Sequence, residues 1–80
     1  MNREEIFNHV QNIFRDIFDD DAMIIEDKTN SEQVEDWDSL NHINLVCAIE
    51  KELKIKFSLG ELTALKDVGE MVDLIIKKLA

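Results

Sequence analysis

The stretch Trp37-Asp38-Ser39-Leu40-Asn41-His42-Ile43-Asn44-Leu45-Val46-Cys47-Ala48-Ile49-Glu50-Lys51-Glu52-Leu53 decides how the fold is read. No Pro or Gly interrupts it, and its apolar residues Leu40, Ile43, Leu45, Val46, Cys47, Ala48, Ile49 and Leu53 cover more than one helical stripe. The pattern predicts a helix from about Ser39 to Leu53 that is either central to a bundle or buries one side inside and lends another to partners. Asn41, His42, Asn44, Glu50 and Lys51 mark its wetter surface. At its start, Asp38 and Ser39 are both favoured N-cap types. With either as cap, the Ser39 hydroxyl stands at a helix N-terminus, where unpaired N–H groups and the helix dipole favour a bound phosphate.

Upstream, residues 19–38 hold nine acids against Lys28 alone. So long a connector without a regular element is either functional or pinned down. Met23-Ile24-Ile25, Val34 and Trp37 are the expected pins, while the acids stay wet. A calcium loop does not fit: counted from Asp19 the third required acid falls on Met23, and from Asp36 it falls on Leu40. Asp19-Asp20-Asp21 opposes the dipole of whatever helix precedes it and ends that helix. The preceding helix is predicted over Arg3–Phe18. Asn2 and Glu5 stand in capping-box spacing, and Ile6, Val10, Ile13, Phe14 and Ile17 share one face, widened by Phe7 and Phe18.

Downstream, Lys54-Ile55-Lys56-Phe57 alternates like a strand but has no partner strand, and reads as an extended linker with Ile55 and Phe57 inward. Ser58 and Glu61 repeat the capping-box spacing and open a short helix, Ser58 to Leu65, anchored by Leu62 and Leu65. Asp67 and Glu70 do so again before a last helix to the chain end, with Val68, Met71, Val72, Ile75, Ile76 and Leu79 at helical spacing and Lys77 and Lys78 suiting the dipole. The expected fold is all-α: a small four-helix bundle of three longer helices and one short one, with a long loop between the first and second, residues 1–80 forming one domain.

Composition narrows the function. A net charge of −9 argues against nucleic acid and anionic membrane surfaces and permits basic protein partners. The asymmetry says more: residues 1–40 hold twelve acids and three bases, residues 41–80 six of each. One cysteine and no long apolar run predict a reduced, soluble, cytoplasmic protein without membrane insertion. Cys47 is expected as a buried or half-buried small hydrophobe ahead of a reactive thiol. It lies about 140° around the helix from His42, so the two do not converge on a metal, and His9 is isolated. No nucleophile–base–orienter set, ligand cluster or glycine-rich phosphate loop is found; Ser39 and His42 are close enough on the helix to touch but lack an oxyanion hole and a cleft. What remains is an exposed hydroxyl at a helix start, suited to modification by another enzyme.

Asp38-Ser39-Leu40 followed by Ile43, Leu45-Val46 and Ala48-Ile49-Glu50 resembles the attachment motif and second helix of acyl carrier proteins, and the order of elements and the length are similar from end to end. Trp37 before the motif and Asn41-His42-Ile43 within it look more like discrete carriers of specialised or surface-polymer pathways than the housekeeping fatty-acid carrier. The resemblance implies a 4'-phosphopantetheine arm on Ser39, installed by a phosphopantetheinyl transferase from coenzyme A with magnesium. It implies a monomeric carrier of acyl thioesters in a lipid, polyketide or surface-polysaccharide-type pathway, with acyl-activating and acyl-transferring enzymes as partners and no catalysis of its own. It places partner contacts at Asp38, Leu40, Asn41, Ile43, Asn44, Cys47 and Lys51. The housekeeping carriers have an acidic second helix; here that face is neutral or basic, so recognition is expected to draw on loop acids such as Glu32 and Glu35. An aminoacyl or D-alanyl cargo, or an unmodified helical adaptor binding through the second helix, are the other readings.

Overall fold

The computed structural model describes residues 2–79. Four helices follow one another: α1 (Arg3–Ile17), α2 (Ser39–Leu53), α3 (Leu59–Ala64) and α4 (Val68–Leu79). The expected four-helix order stands, and no strand occurs among the described residues; an isolated bridge between Asn30 and Asp67 is the nearest approach to one. The expected continuation of the last helix to Ala80 lies outside the described residues.

Each helix starts where its cap chemistry allows. Asn2 accepts from the Glu5 N–H at 2.8 Å while the Glu5 carboxylate takes the Asn2 N–H, which satisfies two N-terminal donors of α1. Ser58 and Glu61 make the same reciprocal pair at α3. At α4 the device is altered. Asp67 accepts from the Glu70 N–H, but the Glu70 carboxylate takes the N–H of Lys66 instead of that of Asp67. Phe18 serves as C-cap of α1 and so ends the helix one residue before the predicted boundary.

α1 is the hub, packing on α2 along one side and on α4 along another. Ile6, Val10 and Phe14 of α1, Leu45 and Ile49 of α2, and Met71, Val72 and Ile75 of α4 are almost wholly buried. Each such side chain contributes about 1.5–3 kcal/mol relative to staying in water. Ile55 is buried and Phe57 half-buried, as the alternation after α2 requires. Lys54 ends α2 in the left-handed region (φ 57°), and Glu50 fixes the turn by accepting the Lys54 and Ile55 N–H groups on its carbonyl and the Phe57 N–H on its carboxylate at 2.7 Å. Glu50 is therefore a half-buried fastener and not the wet-face residue expected. His9 belongs to no ligand cluster among the described residues, and its Nδ1 lies 2.8 Å from the Glu52 carboxylate across the α1–α2 seam.

The long loop is pinned differently from expectation. Ile25 and Trp37 are buried and Met23 and Val34 half-buried, but Ile24 points to solvent, 78% exposed. Polar ties do the remaining work. Arg15 donates to the Met23 carbonyl at 2.7 Å, the Ile25 N–H donates to Gln11, and Arg3 reaches both Asp27 and Asp73. Above all, the loop carbonyls of Thr29 and Asp27 accept the Val68 and Gly69 N–H groups at 2.9 Å each. These are two of the donors a helix start leaves without intrahelical partners.

Glycine at position 69 eases that approach, since an added Cβ would stand a tight 3.1 Å from the Asp27 carbonyl and 3.3 Å from its Cβ. Gly69→Val is expected to destabilise the fold by about 1–3 kcal/mol through overpacking. Gly60 in α3 has nothing within 4 Å of such an atom, so Gly60→Ala should stabilise by up to about 1 kcal/mol. Denaturant titration of both variants checks the contrast. A neutral Gly69→Val would show that the loop and α4 are not in firm contact.

Candidate functional site

The site is built at the loop's end. Trp37 is 6% exposed and meets Phe14 of α1 edge-on, with centroids 5.1 Å apart and planes at 87°. Its N–H donates to the Val34 carbonyl, and the Asp38 N–H to that of Asp36, so the chain turns sharply after the indole is seated. Asp38, in extended geometry, is the N-cap of α2 and accepts the Asn41 N–H at 2.8 Å. This resolves the choice between two cap residues: Asp38 caps and Ser39 is the first helical residue. Ser39 is exposed, and among the described residues no hydrogen bond engages its hydroxyl. The N–H groups of Ser39 and Leu40 precede the helical ladder and point at the same end.

Beside Ser39 lies a cavity of about 520 Å³ between the start of α2 and α3. Trp37, His42 and Ile43 wall one side and Leu59, Leu62 and Leu65 the other, with Asp38, Ser39 and Lys66 also lining it. Leu40, Ile43 and Leu59 are exposed, at 67%, 47% and 77%. An exposed hydroxyl, free helix-start donors and an adjoining apolar cavity suit an anionic ester with a long, partly apolar extension.

The other expected contact residues divide. Leu40, Asn44, Cys47 and Lys51 are exposed and follow one strip of α2 by their spacing. Cys47 is thus not the buried hydrophobe expected; the core face of α2 is formed by Leu45, Val46, Ile49 and Leu53. Asn41 is tied up locally, donating to the Asp36 carbonyl at 2.8 Å and accepting from Asn44. Glu32 and Glu35 are exposed on the loop. His42 belongs neither to the wet face nor to a pair with Ser39. It is half-buried, stacked on Trp37 and hydrogen-bonded to the Trp37 indole and to the Leu62 carbonyl. Leu59 and Lys66 were not singled out by periodicity. Leu59 carries a signal in hindsight, as an apolar residue directly after a cap and one turn before Leu62.

α3 buries none of its side chains fully. Besides His42, Glu61 holds it, paired with Lys78 of α4 at 2.8 Å, while the Lys78 ammonium also lies 5.4 Å from the centre of the Phe57 ring. The Lys78 hydrogen bond, helped by the Ser58 N–H, draws the Glu61 carboxyl below its ordinary value of 4.5. With a depressed folded pKa, the pair's contribution is complete above that ordinary value and is lost as pH falls through the depressed one.

The cap assignment has a direct test. Asp38→Ala is expected to cost about 1 kcal/mol, and Ser39→Ala to stay within roughly 0.5 kcal/mol of the parent. Thermal melts compare the two, and equal losses would contradict the cap.

Against known proteins, the family model described as the phosphopantetheine attachment site matches residues 8–75. An acyl carrier protein from Picosynechococcus sp. is 35% identical over 75 residues, covering 94% of this chain and 93% of that protein. The solution structure of a holo acyl carrier protein from Geobacter metallireducens superposes with a TM-score of 0.86 at 44% identity, covering 92% of this chain and 85% of that one. An acyl carrier protein from Thermotoga maritima, 23% identical, shares the fold with a TM-score of 0.85 over 99% of this chain and 92% of that one. Among the described residues no helix is long and apolar enough to cross a membrane.

Proposed function

The chain belongs to the acyl carrier protein family, proteins that carry a phosphopantetheine prosthetic group and are not enzymes, and from that premise we propose that Ser39 is the attachment residue. The observation that carries this is the position of Ser39: exposed, first in α2, directly after its Asp38 cap and beside the cavity. The neighbouring residues suit the task. Asp38 takes the Asn41 N–H and leaves those of Ser39 and Leu40 free, so the positive end of the helix faces the phosphodiester. Trp37, clamped on Phe14, keeps the serine in place while a partner handles it. When bound, the group supplies a terminal thiol on which acyl chains are held as thioesters. The tether raises their effective concentration at each docked enzyme.

We further propose a single, monomeric, cytoplasmic carrier domain serving an acyl pathway of lipid, polyketide or surface-polysaccharide type. Its partners are a phosphopantetheinyl transferase and acyl-activating and acyl-transferring enzymes. The exposed Leu40 and Ile43 offer apolar contact beside Ser39, with Leu59 of α3 lining the same cavity as Ile43. On the outer strip of α2, Asn44, Cys47 and Lys51 carry no acid, whereas Glu32 and Glu35 stand exposed on the loop. Basic partner surfaces are therefore steered by the loop.

Incubation with a broad-specificity transferase, coenzyme A and magnesium should add the mass of one phosphopantetheine, and Ser39→Ala should gain nothing. A parent chain that stays unmodified would overturn the assignment. For the steering, Glu32→Lys with Glu35→Lys should slow loading by the cognate acyl-transferring enzyme several-fold at low salt and less at high salt. Asn44→Lys should leave loading nearly unchanged. The reverse ranking would assign recognition to α2.

A further inference from the structure

An indole N–H can only donate, and a backbone carbonyl can only accept. The His42 ring stands between one of each. Trp37 Nε1 lies 3.0 Å from its Nδ1, and the Leu62 carbonyl 2.9 Å from its Nε2. The ring also stacks on the indole, with centroids 6.0 Å apart and planes at 24°. These partners leave a single protonation state that satisfies both: Nδ1 bare to accept from Trp37, Nε2 bearing the proton given to Leu62.

We infer that His42 is a positioning residue for the Ser39 site, a clasp that in its neutral Nε2–H form ties the start of α2 and the Trp37 turn to α3, and that its protonation releases α3 beside the cavity. A proton on Nδ1 would face the Trp37 N–H, donor against donor. The ring must then leave the indole, which strains its hold on Leu62, or the indole must shift, which moves the turn before Ser39. α3 has little else to resist this. It buries no side chain fully, Leu62 and Leu65 are only half-buried, and its remaining polar tie is Glu61 to Lys78.

The charged groups facing His42 are few. Asp38 at the cap and Lys66 after α3 line the same cavity as His42, and Glu61 on α3 is neutralised by Lys78 of α4. α1 contributes Phe14 against Trp37. His9 is the other histidine, but its partner Glu52 stands ten residues along α2 from His42, about 15 Å by helical rise. The clasp does not depend on what Ser39 carries, so it is tested on the unmodified chain, and its failure would leave the carrier reading standing.

Trp37 is the sole tryptophan, which makes the clasp directly readable by NMR. In imidazole nitrogen spectra at alkaline pH, His42 should be the Nε2–H tautomer; the Nδ1–H tautomer would overturn the inference. As His42 titrates, the Trp37 indole N–H resonance should shift with the same midpoint. Its solvent exchange and that of the α3 amides should accelerate roughly fivefold to tenfold, the worth of one neutral hydrogen bond. An indole signal that stays put while His42 titrates would also overturn it. His42→Gln should abolish the coupled step and His9→Gln should retain it. Should His42→Gln fail to fold, the tautomer and the indole titration of the parent chain still decide.

Discussion

A connecting segment of the length of residues 18–38 is held only if its backbone polar groups find partners, and here α4 provides them. The Val68 and Gly69 N–H groups, unpaired within their own helix, donate to the Thr29 and Asp27 carbonyls. Two liabilities cancel: a helix start with orphan donors and a loop with orphan acceptors. Gly69 eases the approach, and Arg3 secures the same loop residue through its side-chain pairing with Asp27. With the loop's middle fixed on α4 and its end fixed by Trp37 on Phe14, α2 starts at a defined place. Ser39 inherits its position from both.

The charge distribution follows from this architecture. The acids of the loop stay in water because the backbone and a few apolar side chains do the pinning, so Asp27 alone of them is drawn into an ion pair among the described residues. No charged or polar side chain is fully buried among the described residues. The core is therefore wholly apolar and makes no demand on electrostatic balance, which leaves the loop's negative charge free to act on partners at a distance. The outer strip of α2 is neutral or basic, and Leu40 on it and Ile43 on the cavity side are both exposed near Ser39.

The helices were legible because each carries both a period and a cap. Asn2 with Glu5 and Ser58 with Glu61 form the reciprocal pairs their spacing announces, and α2 begins and ends on the residues its apolar register marks. Ser39 was legible as a helix-start hydroxyl, though which residue capped the helix was not, since Asp and Ser compete equally for that place. Most of the failures share a cause. Cys47, Glu50 and His42 are read by residue type, and each is decided by a partner further along the chain or by a helix side that no neighbour covers, while Ile24 is turned outward by the path of the loop. His42 shows it best: its nature follows from Trp37, five residues back, and from Leu62, twenty residues ahead. Backbone pairing such as Thr29 with Val68 has no side-chain signature at all.

α3 is where stability and use meet. A bundle of this size places most of its burial energy in α1, α2 and α4. α3, with no buried side chain, is held by directional contacts: the His42 clasp, the Glu61–Lys78 pair and a capping box. Apolar burial is lost gradually and over a broad area, whereas a hydrogen bond or an ion pair is made or broken as a unit. A segment secured in this second way can shift without unravelling the core, because none of the deeply buried contacts belongs to it. The cavity beside Ser39 is walled by α3 on one side and by the rigid start of α2 on the other. Its size is then set by the element with the least buried contact, while Ser39, the proposed attachment residue, stands on a helix anchored in the core. For the role proposed for Ser39, in which one serine is shown to partners while a tethered chain is accommodated beside it, that division of rigidity is the useful one.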